Sequence, residues 1–195
     1  MVAPPPVAQV VPPALRDAIV LDAAGAPHRL GDAWAARDAL IVLVRHFACA
    51  GCSAHVAALR PRLAELEALG AGVTLVGNGS PAQLAAFVER EALATYAIEL
   101  RTDPTRATYA AAGLVRSRWG TAGPRAVAAL LALALRGHRN GLPQGDLWQQ
   151  GGTLYVARGG TLVFRHAAAH LGDHAALGDL LDVALRRRAE EVDLP

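Results

Sequence analysis

Two periods of apolar spacing alternate along this chain, and together they predict most of its elements. Ile41 to Val44 form an unbroken aliphatic run within Leu40-Ile-Val-Leu-Val44, the pattern of a strand buried on both faces. Val56, Leu59, Leu63 and Leu66 then recur at helical spacing, predicting a helix from about Ser53 to Leu69 with a kink at Pro61. Gly70 and Gly72 should end it, and Val73 to Gly77 should make a second buried strand. Ser80-Pro81 pairs a capping serine with a proline at the first helical position and opens a helix to about Glu91. Ala97 to Arg101 reads as a third strand, and Asp103-Pro104 as the start of another capped helix through about Ala112. The strand-helix alternation predicts an α/β sheet with helices on its faces.

The flanks are less regular. Residues 1 to 17 form a proline-rich, extended N-terminal segment, and residues 18 to 195 a single domain. Ala18 to Asp22 and His28 to Leu30 pair as short strands across Ala24-Gly25-Ala26-Pro27, and Gly31 to Arg37 makes a helical turn. Leu114 to Gln150 breaks the alternation and is expected to be a helical insertion. Its helix, Arg125 to Arg136, is apolar around so much of its surface that it should be buried against this chain or against a second subunit; Gly137 to Gly145 should be loop. Thr153 to Ala157 and Thr161 to His166 form a hairpin across Arg158-Gly159-Gly160. Asp173 should cap a last helix, His174 to about Arg188, with Arg186, Arg187 and Arg188 complementing the dipole at a solvated end.

Composition narrows the function classes. At 195 residues the chain can bury a core without metal or disulfide. A net charge of +2 argues against a nucleic-acid partner. All nineteen basic residues are arginine and gather on no one face, which reads as coding bias. The longest apolar run, Ala126 to Leu135, is about half a membrane span. The N-terminus has no basic start followed by an apolar run, so no signal peptide is expected and the setting should be cytoplasmic.

The chemistry concentrates where the central strand meets the helix. Cys49 and Cys52, the only cysteines, stand three apart at that junction, a redox arrangement in an α/β chain. The helix start exposes free N–H groups and a partial positive charge, so a Cys49 thiolate is favoured there. Arg45 adds a cation, or sits in a salt bridge at the strand end. His46 and His55 are candidates to orient or protonate. Cys52, one turn on, can resolve what Cys49 attacks. The spacing His46-x-x-Cys49-x-x-Cys52-x-x-His55 also offers zinc ligands, but four ligands on one strand end and one helical turn strain a tetrahedron. His166, His170 and His174 with Asp173 recur every four residues, interrupted by Gly172. Tyr109, Trp119 and Trp148 are candidates for a cleft wall or for the core.

Three stretches in order resemble the peroxiredoxin-like branch of the alkyl hydroperoxide reductase and thiol-specific antioxidant (AhpC/TSA) superfamily. They are Val44-Arg-His-Phe-Ala-Cys-Ala-Gly-Cys52, Thr102-Asp-Pro-Thr-Arg-Ala-Thr-Tyr109 followed by Gly113-Leu114, and Gln149-Gln-Gly-Gly-Thr-Leu154 continuing to Gly172-Asp-His174. The resemblance implies a thioredoxin-like three-layer fold: a central mixed sheet, helices on both faces and a helical insertion at about 114 to 150. The proline and threonine that typical members carry ahead of the attacking cysteine are replaced by Val42 and His46, and the cis-proline of thioredoxins by Gly151-Gly152 before Thr153.

By that resemblance the chain is a thiol-dependent peroxidase for hydrogen peroxide or organic hydroperoxides. Cys49, Cys52, Arg45 and His46 are its catalytic candidates. Phe47, Gly151, Gly152 and Thr153 are its substrate-binding candidates, the glycines letting a substrate backbone approach closely. No cofactor or metal is implied. The partners would be peroxide or a disulfide as substrate, thioredoxin or a small thiol as reductant, and a second copy in a homodimer. A thioredoxin-type disulfide reductase, a non-catalytic protein holding zinc or an iron-sulfur cluster on the two cysteines, and an inactive scaffold are the alternatives.

Overall fold

The computed structural model describes residues 9–137 and 145–192. Its centre is a mixed sheet of eight strands: β1 (Gln9–Val10), β2 (Ile19–Leu21), β3 (Pro27–Arg29), β4 (Asp38–Leu43), β5 (Ala71–Gly77), β6 (Ile98–Thr102), β7 (Gly152–Ala157) and β8 (Thr161–Ala167). Their order is β1-β8-β7-β4-β5-β6-β2-β3. The run read as the central strand is central: β4 lies between β5, parallel, and β7, antiparallel, and all six of its residues are buried.

Alternation along β4 divides the core. Leu40 and Val42 face a cluster with Phe47, Cys49, Cys52, Val56, Leu84, Phe87 and Leu180. Ala39, Ile41 and Leu43 face the opposite layer with Val11, Leu15, Trp34, Tyr109 and Leu114. The helices are α1 (Pro13–Arg16), α2 (Ala50–Leu59), α3 (Leu63–Ala68), α4 (Pro81–Arg90), α5 (Ala107–Ala111), α6 (Arg118–Ala122), α7 (Pro124–Leu135) and α8 (Leu177–Val192). The α/β layering expected from the sequence is present, with helices on both faces of the sheet.

Several boundaries differ, each for a local reason. The helix after the cysteines begins at Ala50, not Ser53, and Pro61 divides it through a 3₁₀ turn, Arg60–Arg62, because proline has no N–H for the ladder. Gly70, at φ 88°, ends α3, while Gly72 lies inside β5. The Ser80 cap is a full capping box, Ser80 and Gln83 each binding the other's main-chain N–H.

Asp103 does not cap at once. Its carboxylate takes the N–H groups of Thr105, Arg106 and Thr108 (3.0, 2.9 and 2.7 Å), and Arg106, at φ 64°, turns the chain so that α5 starts only at Ala107. Asp173 does not cap α8 either. It accepts from Ala169 N–H (2.7 Å) and meets His166 Nε2 at 3.1 Å, and α8 starts at Leu177. Because α8 continues to Val192, the arginine triplet is not at its end, and Arg187 turns inward to the buried Asp38 (3.1 Å).

The N-terminal segment is not wholly extended or apart. β1 pairs with β8, and α1 buries Leu15. The apolar helix expected at 125 to 136 is α7, but it is buried on one side only. Ala126, Ala129, Leu130 and Leu133 pack on the α2 layer, whereas Val127, Leu131 and Leu135 are exposed. Most of the loop expected at 137 to 145, residues 138–144, lies outside the described residues. No helix among the described residues is long and apolar enough to cross a membrane.

Candidate active site

Parallel pairing with β5 carries β4 as far as Val44, whose N–H still bonds Val76 O (2.9 Å). The chain then turns through Arg45 to Ala48 so that Cys49 becomes the residue preceding α2, in extended conformation with φ −81° and ψ 120°. This places its sulfur at the positive end of a ten-residue helix. Cys52 lies on the first turn. Both are free thiols, 1% and 0% exposed respectively.

Arg45 organises the site. Its main-chain N–H donates to Cys52 Sγ (3.2 Å), and its guanidinium reaches Cys49 Sγ from Nη1 (4.0 Å). Nε donates to Gln149 O (3.2 Å), and Nη2 to Thr121 Oγ1 (2.6 Å) and Leu147 O (2.8 Å). The residue is 1% exposed, and among the described residues no carboxylate comes within 4 Å of it. The salt bridge considered for Arg45 is therefore not formed. A buried cation held only by neutral acceptors calls for an anion, and the nearby sulfur can supply one.

The two sulfurs divide accordingly. The Cys52 thiol donating to Cys49, with Arg45 and the N–H groups of Cys52 and Gly51, pulls Cys49 down to about 6, although burial alone would raise it. Burial, and then the adjoining Cys49, pushes Cys52 well above its ordinary value. Near neutral pH these shifts favour one thiolate and one thiol, the pair that nucleophilic attack and resolution need.

The histidines are placed differently. His46 is buried, its Nδ1 has no partner, and burial reinforced by Arg45 lowers it to about 4. His55 stacks on His174, centroids 4.5 Å apart and rings inclined 10°. Among the described residues no three His, Cys, Asp or Glu side chains are grouped to hold a metal, so neither the His46-to-His55 spacing nor the His166-to-His174 spacing closes into a ligand set.

The substrate-binding candidates surround the site but are enclosed. Phe47, 0% exposed, packs on Phe87 with centroids 5.1 Å apart. A Cβ on Gly151 would lie 2.5 Å from Leu43 O, and one on Gly152 2.7 Å from His166 O. The close approach these glycines make is to β4 and β8. Thr153 is buried and pairs with Val42 across β4 and β7. Tyr109 is core, its hydroxyl on Val44 O and Val76 O (2.7 and 3.0 Å); Trp119 is exposed, and Trp148 lies under Arg118, 5.7 Å away.

Sequence reasoning missed Thr121, Asn78 and Asp146. Asn78, just beyond β5, donates to Arg45 O (2.6 Å) and Asp146 O (3.2 Å) and accepts from Asp146 N–H (3.0 Å), latching the cysteine loop to the segment that binds the guanidinium. Asp146 in turn pairs with Arg116 (2.6 Å) and Arg106 (3.4 Å). Only the need of a buried arginine for distant acceptors could have signalled them.

A dithiol at a helix start, beside a buried cation on a thioredoxin-like sheet, defines a thiol oxidoreductase. The chain belongs to the AhpC/TSA antioxidant enzyme family, whose model matches residues 58–170. It is 30% identical to Peroxiredoxin-like 2C of Bos taurus, over 84% of this chain and 75% of that protein. It is also 30% identical to the chloroplastic thioredoxin-like protein AAED1 of Arabidopsis thaliana, over 72% of this chain and 58% of that protein's length. Among solved structures, the bacterioferritin comigratory protein of Xanthomonas campestris superposes with a TM-score of 0.64 at 17% identity, covering 94% of this chain and 98% of that one. The peroxidoxin BcpB of Mycobacterium tuberculosis gives 0.63 at 15%, covering 92% and 95%. These likenesses establish the peroxiredoxin-type thioredoxin fold. The family match begins after the cysteines, so the residue roles rest on geometry.

Proposed function

We propose that the protein reduces hydrogen peroxide or small organic hydroperoxides in a Cys49-Cys52 dithiol/disulfide cycle. Cys49 thiolate attacks the O–O bond and becomes a sulfenic acid. Cys52 displaces the hydroxyl to form the internal disulfide, and thioredoxin or a small thiol reduces it. Arg45 holds the thiolate and stabilises charge on the departing oxygen. The observation that carries this reading is the buried Arg45 guanidinium, which has neutral acceptors on three sides and Cys49 on the remaining approach.

Enclosure of both sulfurs favours a small peroxide over a protein disulfide, although a reductase would use the same pair. The cycle needs no metal or prosthetic group. Its setting is a reducing one, cytoplasmic in this reading, and self-association as a homodimer is an arrangement that sedimentation analysis reads directly. Mass spectrometry before and after one equivalent of peroxide tests the chemistry. The expected product is loss of two hydrogens in the wild type, and a trappable sulfenic acid in Cys52→Ser. An unchanged dithiol, together with turnover of an insulin-type disulfide, would replace peroxidase by reductase.

A further inference from the structure

We infer that Cys52 is the acid of the first step as well as the resolving thiol of the second, its proton passing to the oxygen that leaves when Cys49 cleaves the peroxide. This rests on the reading of Cys49 as the attacking thiolate.

Hydroxide is a poor leaving group, since its conjugate acid, water, has a pKa of about 15.7. A donor that protonates it as the O–O bond breaks must lie beside Cys49, hold a proton while Cys49 is ionised, and be stabilised once that proton is gone. Cys52 meets all three requirements. It stands on the first turn of the helix that Cys49 opens, and Arg45 touches both sulfurs, its guanidinium 4.0 Å from Cys49 and its main-chain N–H 3.2 Å from Cys52. It remains protonated because burial and the adjoining thiolate hold it so. Its sulfur already receives the Arg45 main-chain N–H at 3.2 Å, a contact suited to the thiolate it would become.

Charge conservation at Arg45 supports the same route. Before attack, the buried guanidinium faces the Cys49 thiolate. If the proton came from solvent, formation of a neutral sulfenic acid would leave a buried cation without an anion, an expensive arrangement; if it came from the attacked peroxide oxygen, the charge would pass to a sulfenate. If it comes from Cys52, one negative charge stays beside Arg45 until the disulfide forms.

The neighbouring groups are less suitable. Tyr109 directs its hydroxyl into Val44 O and Val76 O, and Thr121 its hydroxyl into Ser117 O (2.9 Å). His46 is neutral, with Nδ1 unpartnered. His55 is engaged face to face with His174.

The steps balance. A sulfur lone pair of Cys49 forms the S–O bond, the O–O pair moves to the distal oxygen, and that oxygen takes the Cys52 proton and leaves as water. Cys49 is oxidised by two electrons and the peroxide is reduced. The new Cys52 thiolate then attacks Cys49 Sγ; the S–S bond forms, and the S–O bond breaks as the hydroxyl takes a proton from solvent and leaves as water.

Leaving-group chemistry tests this in single turnovers of wild type, Cys52→Ser and Cys52→Ala at a pH where Cys49 is fully ionised in each. With hydrogen peroxide both variants should oxidise Cys49 about 10²-fold more slowly than wild type. With a peroxycarboxylic acid, whose carboxylate departs without a proton, they should come within about threefold of it, which also shows that Cys49 is intact and folded in place. Working on the ionised plateau removes any change in Cys49's own titration. Equal rates for wild type and variants with hydrogen peroxide, or an equal loss with both oxidants, would overturn the inference and leave the peroxidase intact. A selective loss in His46→Gln, and none in Cys52→Ser, would assign the proton to His46 and overturn it too. A wild type inert to both oxidants would instead overturn the peroxidase reading on which it stands.

Discussion

Helix α2 carries two buried titratable clusters one turn apart, and they respond to burial in opposite ways. At its start Cys49 is pulled towards ionisation, down to about 6. One turn beyond Cys52, His55 is held neutral, lowered to about 3 by burial and by His174, and His174 itself to about 4, chiefly by burial. The difference lies in the partners of the charged form. Cys49 has a thiol donor, a guanidinium and main-chain N–H groups turned towards it; His55 and His174 bury unpartnered Nε2 atoms against each other. Burial suppresses charge unless the surroundings are already arranged to receive it.

The sharpest way to break this contrast is to remove the ionised sulfur. Cys49→Ser should lower peroxide turnover by about 10³-fold or more, measured as peroxide consumption with a thiol reductant. Next in size, Arg45→Met should raise the Cys49 pKa, read from thiolate absorbance against pH, and slow its oxidation by about 10²-fold. The same variant strands the acceptors at Leu147, Gln149 and Thr121, so a loss of about 2–4 kcal/mol in denaturant unfolding is expected.

Acid should separate the two clusters by pH. The folded Cys49 pKa lies below its ordinary value of 9.0, so its stabilising contribution is present above the unfolded pKa and is lost as pH falls towards about 6. His55 and His174 are also lowered from 6.5, so folding is favoured while they are neutral and weakened as pH falls from about 6.5 towards 4 and 3. Replacing both histidines by phenylalanine should therefore remove much of the acid sensitivity below pH 6 and leave the thiolate titration in place. Denaturant midpoints collected across pH would show it. The smallest effect is expected from Asn78→Ala, which releases the latch between Arg45 O and Asp146. It should cost about 1–3 kcal/mol and raise the Cys49 pKa only slightly.

The parts of the site legible in the sequence are those that depend on neighbours in sequence. Ile41 to Val44 announced a strand, Cys49 and Cys52 announced a pair one turn apart, and Ser80-Pro81 announced a helix start, because each pattern is read within a single element. Asp103 and Asp173 misled for the complementary reason: an aspartate before a helical pattern can bind several main-chain N–H groups without opening the helix at once, and the choice belongs to the turn that follows. The α7 helix misled because apolar spacing reports an affinity for burial and carries no record of whether a neighbour arrives. Here α2 and α6 cover only one side.

The chain's own order of residues determined that a strand would run into a helix with a dithiol at the join, since local sterics, apolar periodicity and proline positions act over a few residues. What only the tertiary structure decided is the electrical character of that join. Thr121, Leu147 and Gln149 lie 76 to 104 residues from Arg45, and Asn78 33 residues from it. Packing of α6, β5 and the 145–150 segment around β4 brings the first three to the guanidinium and Asn78 to the Arg45 carbonyl. Without those contacts Arg45 would be a solvated side chain, and Cys49 would lose one of the groups that favour its thiolate.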